Sequence, residues 1–254
     1  MLAPERQQQI LALLEEQGTV RTTDLAEEFQ VTDETIRRDL QALAENHQVN
    51  RIHGGASSLN GKPKLVSFNE RRYLHVEQKK AIARAALEWI EAEKTFIFDS
   101  STTALELVAI LPDLPFRVIT NAHFAINQLI NHEQVELLST GGRYHAKTQT
   151  FNSSSTLQTL RRHNINRAFI SCVGLDLKRG VSEGFEEQAA FKEALIQVAE
   201  QVILLVDSSK LNQCSEYFFA GLEQISLIIT DAGADPDFLA SLRQQGCEVR
   251  IAQQ

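Results

Sequence analysis

The sequence predicts a small N-terminal helical unit with a β-wing, followed by a larger α/β domain built on a parallel sheet. Two observations predict this fold class. Residues 1–56 contain three short amphipathic helical patterns and then an alternating segment that ends in Gly54 and Gly55. From Thr95 onward, short and fully apolar runs alternate with helical patterns, which is typical of a doubly wound sheet covered by helices on both faces.

The first two helices of the N-terminal unit follow from residue spacing and end signals. Gln7–Gln17 carries Ile and Leu at helical spacing and is followed by Gly18, a common helix terminator. Thr22–Phe29 predicts a second short helix, with Thr22 or Thr23 as its N-cap. The short connection after it has the length found in a helix–turn–helix motif.

The third helix is the most informative element of the chain. Thr32 has a hydroxyl suited to an N-cap, and Ile36, Leu40 and Leu43 then form one apolar face. The polar and basic side chains elsewhere on this helix suit phosphates and base edges, so it is predicted to be a DNA recognition helix. Val49–Ala56 is predicted to be a two-stranded wing beside it. The candidate DNA-contacting residues are Thr22, Thr32, Thr35, Arg37, Arg38, Arg51 and His53.

Net charge limits this interpretation. Residues 1–56 hold five arginines against ten aspartates and glutamates, so strong non-specific DNA affinity is not expected. Binding then depends on a local basic face and on pairing two such units in a homo-oligomer, a dimer or a tetramer. The alternative is an ordinary three-helix domain used for protein contacts.

Several segments of this unit together resemble a known family. They are Gln7-Gln-Gln-Ile-Leu, Leu25-Ala-Glu-Glu-Phe, Thr35-Ile-Arg-Arg-Asp-Leu and His53-Gly-Gly-Ala. This combination resembles the N-terminal domain of the DeoR family of bacterial sugar-operon regulators. The resemblance implies a winged helix–turn–helix that binds double-stranded operator DNA, followed by an effector-binding domain.

Composition and segment boundaries complete the domain plan. We expect a DNA-binding domain over 1–57, a linker over 58–75 and a sensor domain over 76–254. The N-terminus shows no signal-peptide pattern and the chain has no apolar run long enough to span a bilayer, which predicts a cytoplasmic protein without a membrane partner. Cys172, Cys214 and Cys247 lack metal-ligand spacing and are expected to be reduced thiols, and neither a metal nor a cofactor is predicted.

The larger domain is predicted from strands alternating with helices. The expected strands are Thr95–Phe98, Phe116–Thr120, Val135–Leu138, Arg167–Val173, Val202–Val206, Ser226–Thr230 and Glu248–Ile251. The expected helices are Glu77–Glu91, Thr102–Leu111, Phe124–Asn131, Ser155–Arg162, Phe185–Glu200 and Pro236–Gln245.

Polar, small-residue loops follow five of these strands. In open α/β sheets, ligands bind at the carboxyl ends of the strands, so these loops are expected to meet at one edge. Asp99-Ser-Ser-Thr-Thr103 opens a helix, and backbone N–H groups there suit a phosphate. A plain Ser/Thr helix cap is the alternative for that loop taken alone.

These loops match the C-terminal domain of the same family, which is similar to ribose-5-phosphate isomerase and coenzyme A transferase folds. By that resemblance the domain senses a phosphorylated sugar. Lys210 is the candidate for a charge-assisted contact. Lys192 on the following helix is a weaker candidate, and the alternative for it is pairing with Glu187 or with neighbours of Glu193. The candidate effector-binding residues are Asp99, Ser100, Ser101, Thr102, Thr103, Asn121, Gly141, Gly142, Gly174, Asp176, Glu183 and Lys210.

Two functions from different classes fit this sequence. The first is a transcriptional regulator controlled by a sugar phosphate. The second is a sugar-phosphate isomerase with an appended DNA-binding unit, which needs a carboxylate base. Asp99 and Glu183 are nominal candidates for that base but form no convincing acid–base pair, so no catalytic residue and no enzyme activity are predicted. Within the family, three segments resemble the L-fucose operon regulators, namely Ala86–Glu91, the Asp99-Ser-Ser-Thr loop and Ser171–Asp176. This resemblance suggests a deoxysugar phosphate such as fuculose-1-phosphate as the effector.

Overall fold

A computed structural model describes residues 2–46, 48–52, 54–58 and 67–253. The chain divides into two compact units, Met1–Leu65 and Val66–Gln254. The helices are α1 Ala3–Gln17, α2 Thr22–Glu28, α3 Asp33–Glu45, α4 Phe68–Arg71, α5 Val76–Ala86, α6 Thr102–Val108, α7 His123–Leu129, α8 Ser154–Leu160, α9 Glu186–Val198 and α10 Pro236–Gln244.

The strands belong to one small sheet in the first unit and to a large sheet, a small sheet and a hairpin in the second. They are β1 Thr19–Arg21, β2 Val49–Ile52, β3 Gly55–Ser58, β4 Thr95–Phe98, β5 Arg117–Thr120, β6 Glu136–Ser139, β7 Arg143–His145, β8 Thr150–Asn152, β9 Ile165–Ile170, β10 Gly174–Asp176, β11 Gly180–Glu183, β12 Ala199–Leu205, β13 Tyr217–Ala220, β14 Leu227–Asp231 and β15 Val249–Ala252.

The first unit is the predicted three-helix fold with a wing. α1 ends at Gln17, and Gly18 after it adopts a φ of 78° that suits glycine. Thr32 caps α3 by accepting a hydrogen bond from the backbone N–H of Thr35, as predicted. The wing strands β2 and β3 pair antiparallel, and β1 adds a third strand that the sequence pattern did not predict. One apolar core joins these elements, with Ile10, Leu25, Ile36, Leu40 and Leu43 at its centre.

One prediction about α2 is wrong. Its N-cap is Arg21, and neither Thr22 nor Thr23 caps it through a side chain. Thr22 is instead the first residue of the helix, and its backbone N–H donates to the carbonyl of Gly54. The chain therefore enters α2 directly from β1, which leaves no turn for a capping residue.

The second unit is a three-layer α/β/α structure around a parallel sheet with strand order β15-β14-β12-β9-β4-β5-β6. Alternate residues of each strand enter different cores; Phe98 and Phe169 stack on one face, whereas Ile97 lies on the other. α5, α6 and α7 cover the Phe98 face, and α9 and α10 cover the opposite face. The predicted doubly wound architecture is thus confirmed.

Strand order fixes where a ligand site can form. β5 and β6 follow β4 on one side of the sheet, whereas β9, the next strand of this sheet along the chain, pairs with the other side of β4. Neighbouring loops therefore leave β4 and β9 in opposite directions, which opens a crevice at their carboxyl ends. Asp99 and Ser171 follow these two strands and lie at this point.

The sequence pattern did not predict the antiparallel strands of the second unit, and some predicted element boundaries differ from those in the structure. The β7–β8 hairpin and the sheet β10-β11-β13 were not predicted. The helix expected over Glu77–Glu91 ends at Ala86, and a 3-10 turn over Leu87–Trp89 follows it. No helix in the described part of the chain is long and apolar enough to cross a membrane.

The predicted linker of 58–75 falls partly on residues 59–66, which lie outside the described ones. Its later part contains α4, which belongs to the second unit. Phe68 is buried there and stacks on Phe124 of α7, with ring centroids 5.0 Å apart. The domain bounds themselves stay a prediction.

Candidate functional sites

A shallow groove on the first unit brings together the three arginines predicted from sequence. Arg37 and Arg38 project from α3, and Arg51 joins them from β2. All three are exposed, and Arg51 also donates to the carbonyl of Gly55 within the wing. Glu34 lies 3.4 Å from Arg38, so the groove carries both signs of charge. Its lining consists of Glu34, Arg37, Arg38, Gln41, Ala42, Glu45 and Arg51.

A buried ion pair holds this helix in place. Arg6 of α1 lies 2.5 Å from Asp39 of α3, and both side chains are more than nine-tenths buried. Gln7 donates a second hydrogen bond to the same carboxylate. Because a buried charge is costly without a partner, this pair fixes the rotation of α3 that exposes Arg37 and Arg38.

The remaining candidates of this unit divide into three cases. Thr32 and Thr35 lie at the start of α3, where their hydroxyls are 2.9 Å apart and hydrogen-bonded. Thr22 is only 3% exposed, so its side chain is not on the surface that DNA would meet. His53 lies outside the described residues.

In the second unit, a small cavity opens at the carboxyl ends of β4 and β9. Part of the predicted set meets there, together with residues that the sequence analysis did not select. The lining residues are Arg71, Ser100, Ser101, Thr102, Cys172, Val173, Glu183, Gln188, Lys192 and Lys210.

Asp99 joins the two strand ends beneath this cavity. One carboxylate oxygen accepts the N–H of Ser101 at 2.9 Å, and the other accepts the N–H of Ser171 at 2.9 Å. Ser101 in turn caps α6 through its hydroxyl. Asp99 therefore acts as a structural brace, because both of its oxygens already hold backbone groups.

Lys192, the weaker candidate, is the central cation of the site, and its ion pairs are with Asp99 and Glu183 rather than with Glu187. Its side chain is 3% exposed and contacts Glu183, Asp99 at 3.1 Å, and the carbonyl of Ser171 at 2.7 Å. Burial opposes the charged ammonium, but the two carboxylates outweigh it and raise the pKa of Lys192 above its usual value. Lys192 is thus a buried cation held by two carboxylates.

Lys210 lies at the predicted place and is tied to the loop after β12. Its Nζ is 3.2 Å from Asp207 and 3.4 Å from the hydroxyl of Ser171. Burial favours the neutral acid of Asp207, yet the charge of Lys210 and a hydrogen bond from Ser209 lower its pKa to about 2. Lys210 therefore lines the cavity as an ammonium held by an ionised partner.

Two further cations lie near the cavity, Arg71 from the predicted linker and Lys79 from the first helix of the predicted sensor domain. Arg71, the last residue of α4, lines the cavity close enough to Glu183 and Asp99 for their charges to act on it. Lys79 of α5 is buried and donates to the backbone carbonyl of Arg71. Burial, followed by the charge of Lys210, lowers the pKa of Lys79 to about 8.

Other predicted residues lie nearby without lining the cavity. Thr103 and Asn121 are buried at the same sheet edge, and Thr103 Oγ1 and Asn121 Oδ1 find no hydrogen-bond partner among the described residues. Such atoms mark a place for water or ligand oxygens. Asn121 also donates to Asn152 of the β7–β8 hairpin.

Three predicted residues have clear structural roles instead. A side chain on Gly142 would bring Cβ within 2.5 Å of the Asn152 backbone, and one on Gly174 within 2.5 Å of the Gln213 carbonyl. Both glycines therefore permit close backbone contacts. Asp176 accepts the N–H groups of Lys178 and Arg179 and stabilises the turn between β10 and β11. Gly141 has a φ of 66° and open space around its Cα.

Two lining residues, Cys172 and Gln188, are not available as a reactive thiol or as a free amide. Cys172 has its thiol pKa raised to about 12, chiefly by burial, so it is not a nucleophile at neutral pH. Gln188 is engaged with the hydroxyl of Ser100 at 3.2 Å. In the described ranges, no three His, Cys, Asp or Glu side chains lie together in a way that suits a metal ion.

Comparison with known families accounts for both units. A DeoR-like helix-turn-helix domain matches residues 6–62, and a DeoR C terminal sensor domain matches residues 74–232. The chain belongs to the DeoR family. The uncharacterized HTH-type transcriptional regulator YulB of Bacillus subtilis is 38% identical over 98% of this chain and 96% of that protein.

Other DeoR-family relatives are named for sugar operons. The L-fucose operon activator of Haemophilus influenzae is 34% identical, with 96% of each chain covered. A putative aga operon transcriptional repressor of Escherichia coli O157:H7 is also 34% identical, covering 96% of this chain and 92% of that protein. Among solved structures, ribose 5-phosphate isomerase A of Methanocaldococcus jannaschii is similar at a TM-score of 0.41 and 15% identity over 54% of each chain.

Proposed function

We propose that this protein regulates transcription of a carbohydrate-catabolism operon and that a phosphorylated sugar, bound at the opening of the small cavity in the second unit, controls its affinity for operator DNA. The observation that carries the proposal is the cavity at the ends of β4 and β9, where Arg71, Lys192 and Lys210 converge beside the hydroxyls of Ser100 and Ser101. Cations and hydroxyls of this kind suit a phosphate group and sugar oxygens.

The first unit supports the DNA-binding half of the proposal. Its exposed groove carries Arg37, Arg38 and Arg51, and the ion pair of Arg6 with Asp39 fixes the helix behind it. Since the unit as a whole is acidic, we propose that two copies act together in a homo-oligomer. The regulated DNA is in the cytoplasm, which is where we place the protein.

Binding without turnover fits the cavity better than isomerase activity. A general base needs a carboxylate able to take a proton from the substrate. Asp99 and Glu183 are both ion-paired with Lys192, and both oxygens of Asp99 accept backbone hydrogen bonds. The relatives are named as transcriptional regulators, which supports the same choice.

The test is a gel shift on the promoter region of the protein's own operon, with and without a panel of sugar phosphates that includes fuculose-1-phosphate. We expect one compound to change DNA affinity and its unphosphorylated sugar to have no effect. The matched variants are Arg38→Ala, expected to weaken binding about tenfold or more, and Arg243→Ala, an exposed arginine of α10 expected to have no effect.

Each part of the proposal has an outcome that contradicts it. Equal DNA affinity of the Arg38→Ala variant and the wild-type protein would remove Arg38 from the interface. A shift that no sugar phosphate alters would reject the proposed effector class. Isomerisation of a sugar phosphate by the purified protein would contradict binding without turnover and favour the isomerase function.

A further inference from the structure

We propose that the two neighbouring arginines of α3 have different tasks on DNA: Arg38, oriented by Glu34, reads a guanine base, whereas Arg37 binds a backbone phosphate. This proposal rests on the proposed function, because it concerns the DNA-contacting groove of the first unit. It adds Glu34, which the sequence analysis did not select, as a positioning residue that determines sequence specificity.

The position of each arginine around the axis of α3 separates the two. With about 3.6 residues per turn, Arg38 lies about 200° from the buried Ile36, whereas Arg37 lies about 100° from it. Glu34 lies about 160° from Ile36, so Glu34 and Arg38 share the face opposite the core. A recognition helix in the major groove presents its outermost face to the base edges, and its flanks face the sugar–phosphate backbone. Position alone therefore directs Arg38 to bases and Arg37 to phosphates.

The two arginines also differ in their partners. Nε of Arg38 lies 3.4 Å from Oε1 of Glu34, although the side chains are 80% and 62% exposed. Within the described part of the chain, Arg37 has no ion pair or hydrogen bond through its side chain. An exposed ion pair adds little to stability, so the consequence of the Glu34 contact is orientation of the Arg38 guanidinium.

This contact determines which edge of Arg38 faces outward. A guanidinium carries five N–H donors in a planar fork, and Glu34 lies at the Nε edge. The end formed by the two terminal nitrogens stays open, and it can donate two parallel hydrogen bonds. The O6 and N7 atoms of guanine accept such a pair of bonds in the major groove, which is the commonest base-specific contact of arginine.

The charge of Glu34 makes a phosphate an unfavourable partner for Arg38. Its carboxylate lies in the first turn of α3, where the helix dipole favours a negative charge. A phosphate that approached Arg38 would be repelled by this carboxylate, whereas O6 and N7 of guanine belong to an uncharged base. Glu34 therefore lowers affinity for DNA of any sequence and penalises the wrong contact, which raises specificity.

The first experiment identifies the base that Arg38 contacts. Binding of the full chain is measured on the promoter fragment that the wild type shifts, with each G·C pair of the protected site replaced in turn by A·T. The wild type should lose about tenfold in affinity at one such pair of each half-site. Arg38→Ala should show no further loss at that pair, and Arg37→Ala should keep the wild-type loss there. A full wild-type loss in Arg38→Ala at every pair would overturn the assignment of guanine to Arg38.

The second experiment identifies the phosphate contact through the dependence of affinity on salt. The slope of log affinity against log salt concentration should become shallower by about 0.9 for each bound unit in Arg37→Ala, because one phosphate contact is lost. Arg38→Ala should keep the wild-type slope, since a contact to an uncharged base releases no condensed counterion. An unchanged slope in Arg37→Ala would overturn its phosphate contact.

The third experiment tests the positioning role of Glu34. Glu34→Gln should bind unrelated DNA about threefold or more tightly, and its discrimination at the guanine pair should fall from about tenfold to about twofold. A purely structural role of Glu34 would leave this discrimination unchanged. The control Glu28→Gln removes an exposed acid of α2 outside the groove and should match the wild type on both DNAs. Equal discrimination by Glu34→Gln and the wild type would overturn the positioning role.

These outcomes separate the proposal from the function on which it rests. If the wild type shifts no promoter DNA, the proposed function fails and the division between Arg37 and Arg38 fails with it. If the wild type binds its promoter but its base preferences do not depend on Arg38 and Glu34, only the division fails.

Discussion

Replacing Lys192 by methionine keeps most of the side-chain volume but removes the ammonium that contacts both Asp99 and Glu183. The two carboxylates are then left buried beside each other without their shared cation. Breaking a buried ion pair from one side costs about 3–5 kcal/mol, because an uncompensated charge remains. The hydrogen bond to the carbonyl of Ser171 is lost as well, so we expect a value at the upper end of that range.

Urea unfolding at neutral pH, followed by the fluorescence of Trp89, measures this loss. Because Trp89 is the single tryptophan and lies in the second unit, its signal reports that unit alone. The free energy of unfolding should fall by about 5 kcal/mol in Lys192→Met. The control Lys178→Met removes an exposed lysine and should stay within about 0.5 kcal/mol of wild type.

Acidification provides a second, independent check on the same variant. Two adjacent buried carboxylates without a cation are relieved when one binds a proton, and the folded variant then binds that proton more tightly than the unfolded chain. The stability deficit of Lys192→Met should therefore shrink as pH falls from 8 to about 5. A deficit below about 1 kcal/mol at neutral pH, or one that does not shrink on acidification, would refute the role assigned to Lys192.

The other predictions concern Asp207 and Lys79, two charged residues near the cavity whose pKa values are lowered. Asp207 has its pKa lowered from 3.8 to about 2, so its ionised form stabilises the fold above pH 3.8 and this contribution is lost as pH falls through 2. Between these pH values, the free energy of unfolding of the wild type should fall by about 2 kcal/mol more than that of Asp207→Asn, measured by unfolding at each pH. Lys79 has its pKa lowered from 10.5 to about 8, so between these pH values the unfolded chain keeps a proton that the folded chain releases. The free energy of unfolding of the wild type, relative to that of Lys79→Met, should therefore rise by about 3 kcal/mol from pH 8 to 10.5. If the difference between the two proteins does not change with pH, the burial assigned to Lys79 is contradicted.

Much of the fold follows from local signals in the sequence. Thr32 as a cap and the spacing of Ile36, Leu40 and Leu43 were sufficient to predict α3. The strands of the parallel sheet are short apolar runs because both of their faces are buried, and each was predicted to within a few residues. β1 and the β7–β8 hairpin were missed because strands of three residues are too short to show a period.

The candidate cavity was predicted less completely, since its charges meet only in the folded chain. Lys192 was given only as a weaker candidate with pairing to nearby glutamates as the alternative, yet it shares the buried face of α9 with Ala189 and Leu195. That apolar setting was the available signal. Arg71 was placed in a linker, although Ser67 and Glu70 have the spacing of a capping box and would have predicted a helix there.

The order of the two units along the chain has a consequence for biosynthesis. The first unit has its own core and ends at Leu65, whereas the cavity needs residues from Arg71 to Lys210. A ribosome adding about 5–20 residues each second therefore releases a foldable DNA-contacting unit roughly 7–30 seconds before the last cavity residue is made. During synthesis the nascent chain therefore carries its recognition helix before its effector site is complete. A message truncated between the codons for Leu65 and Lys210 would encode a DNA-contacting unit that cannot respond to the effector.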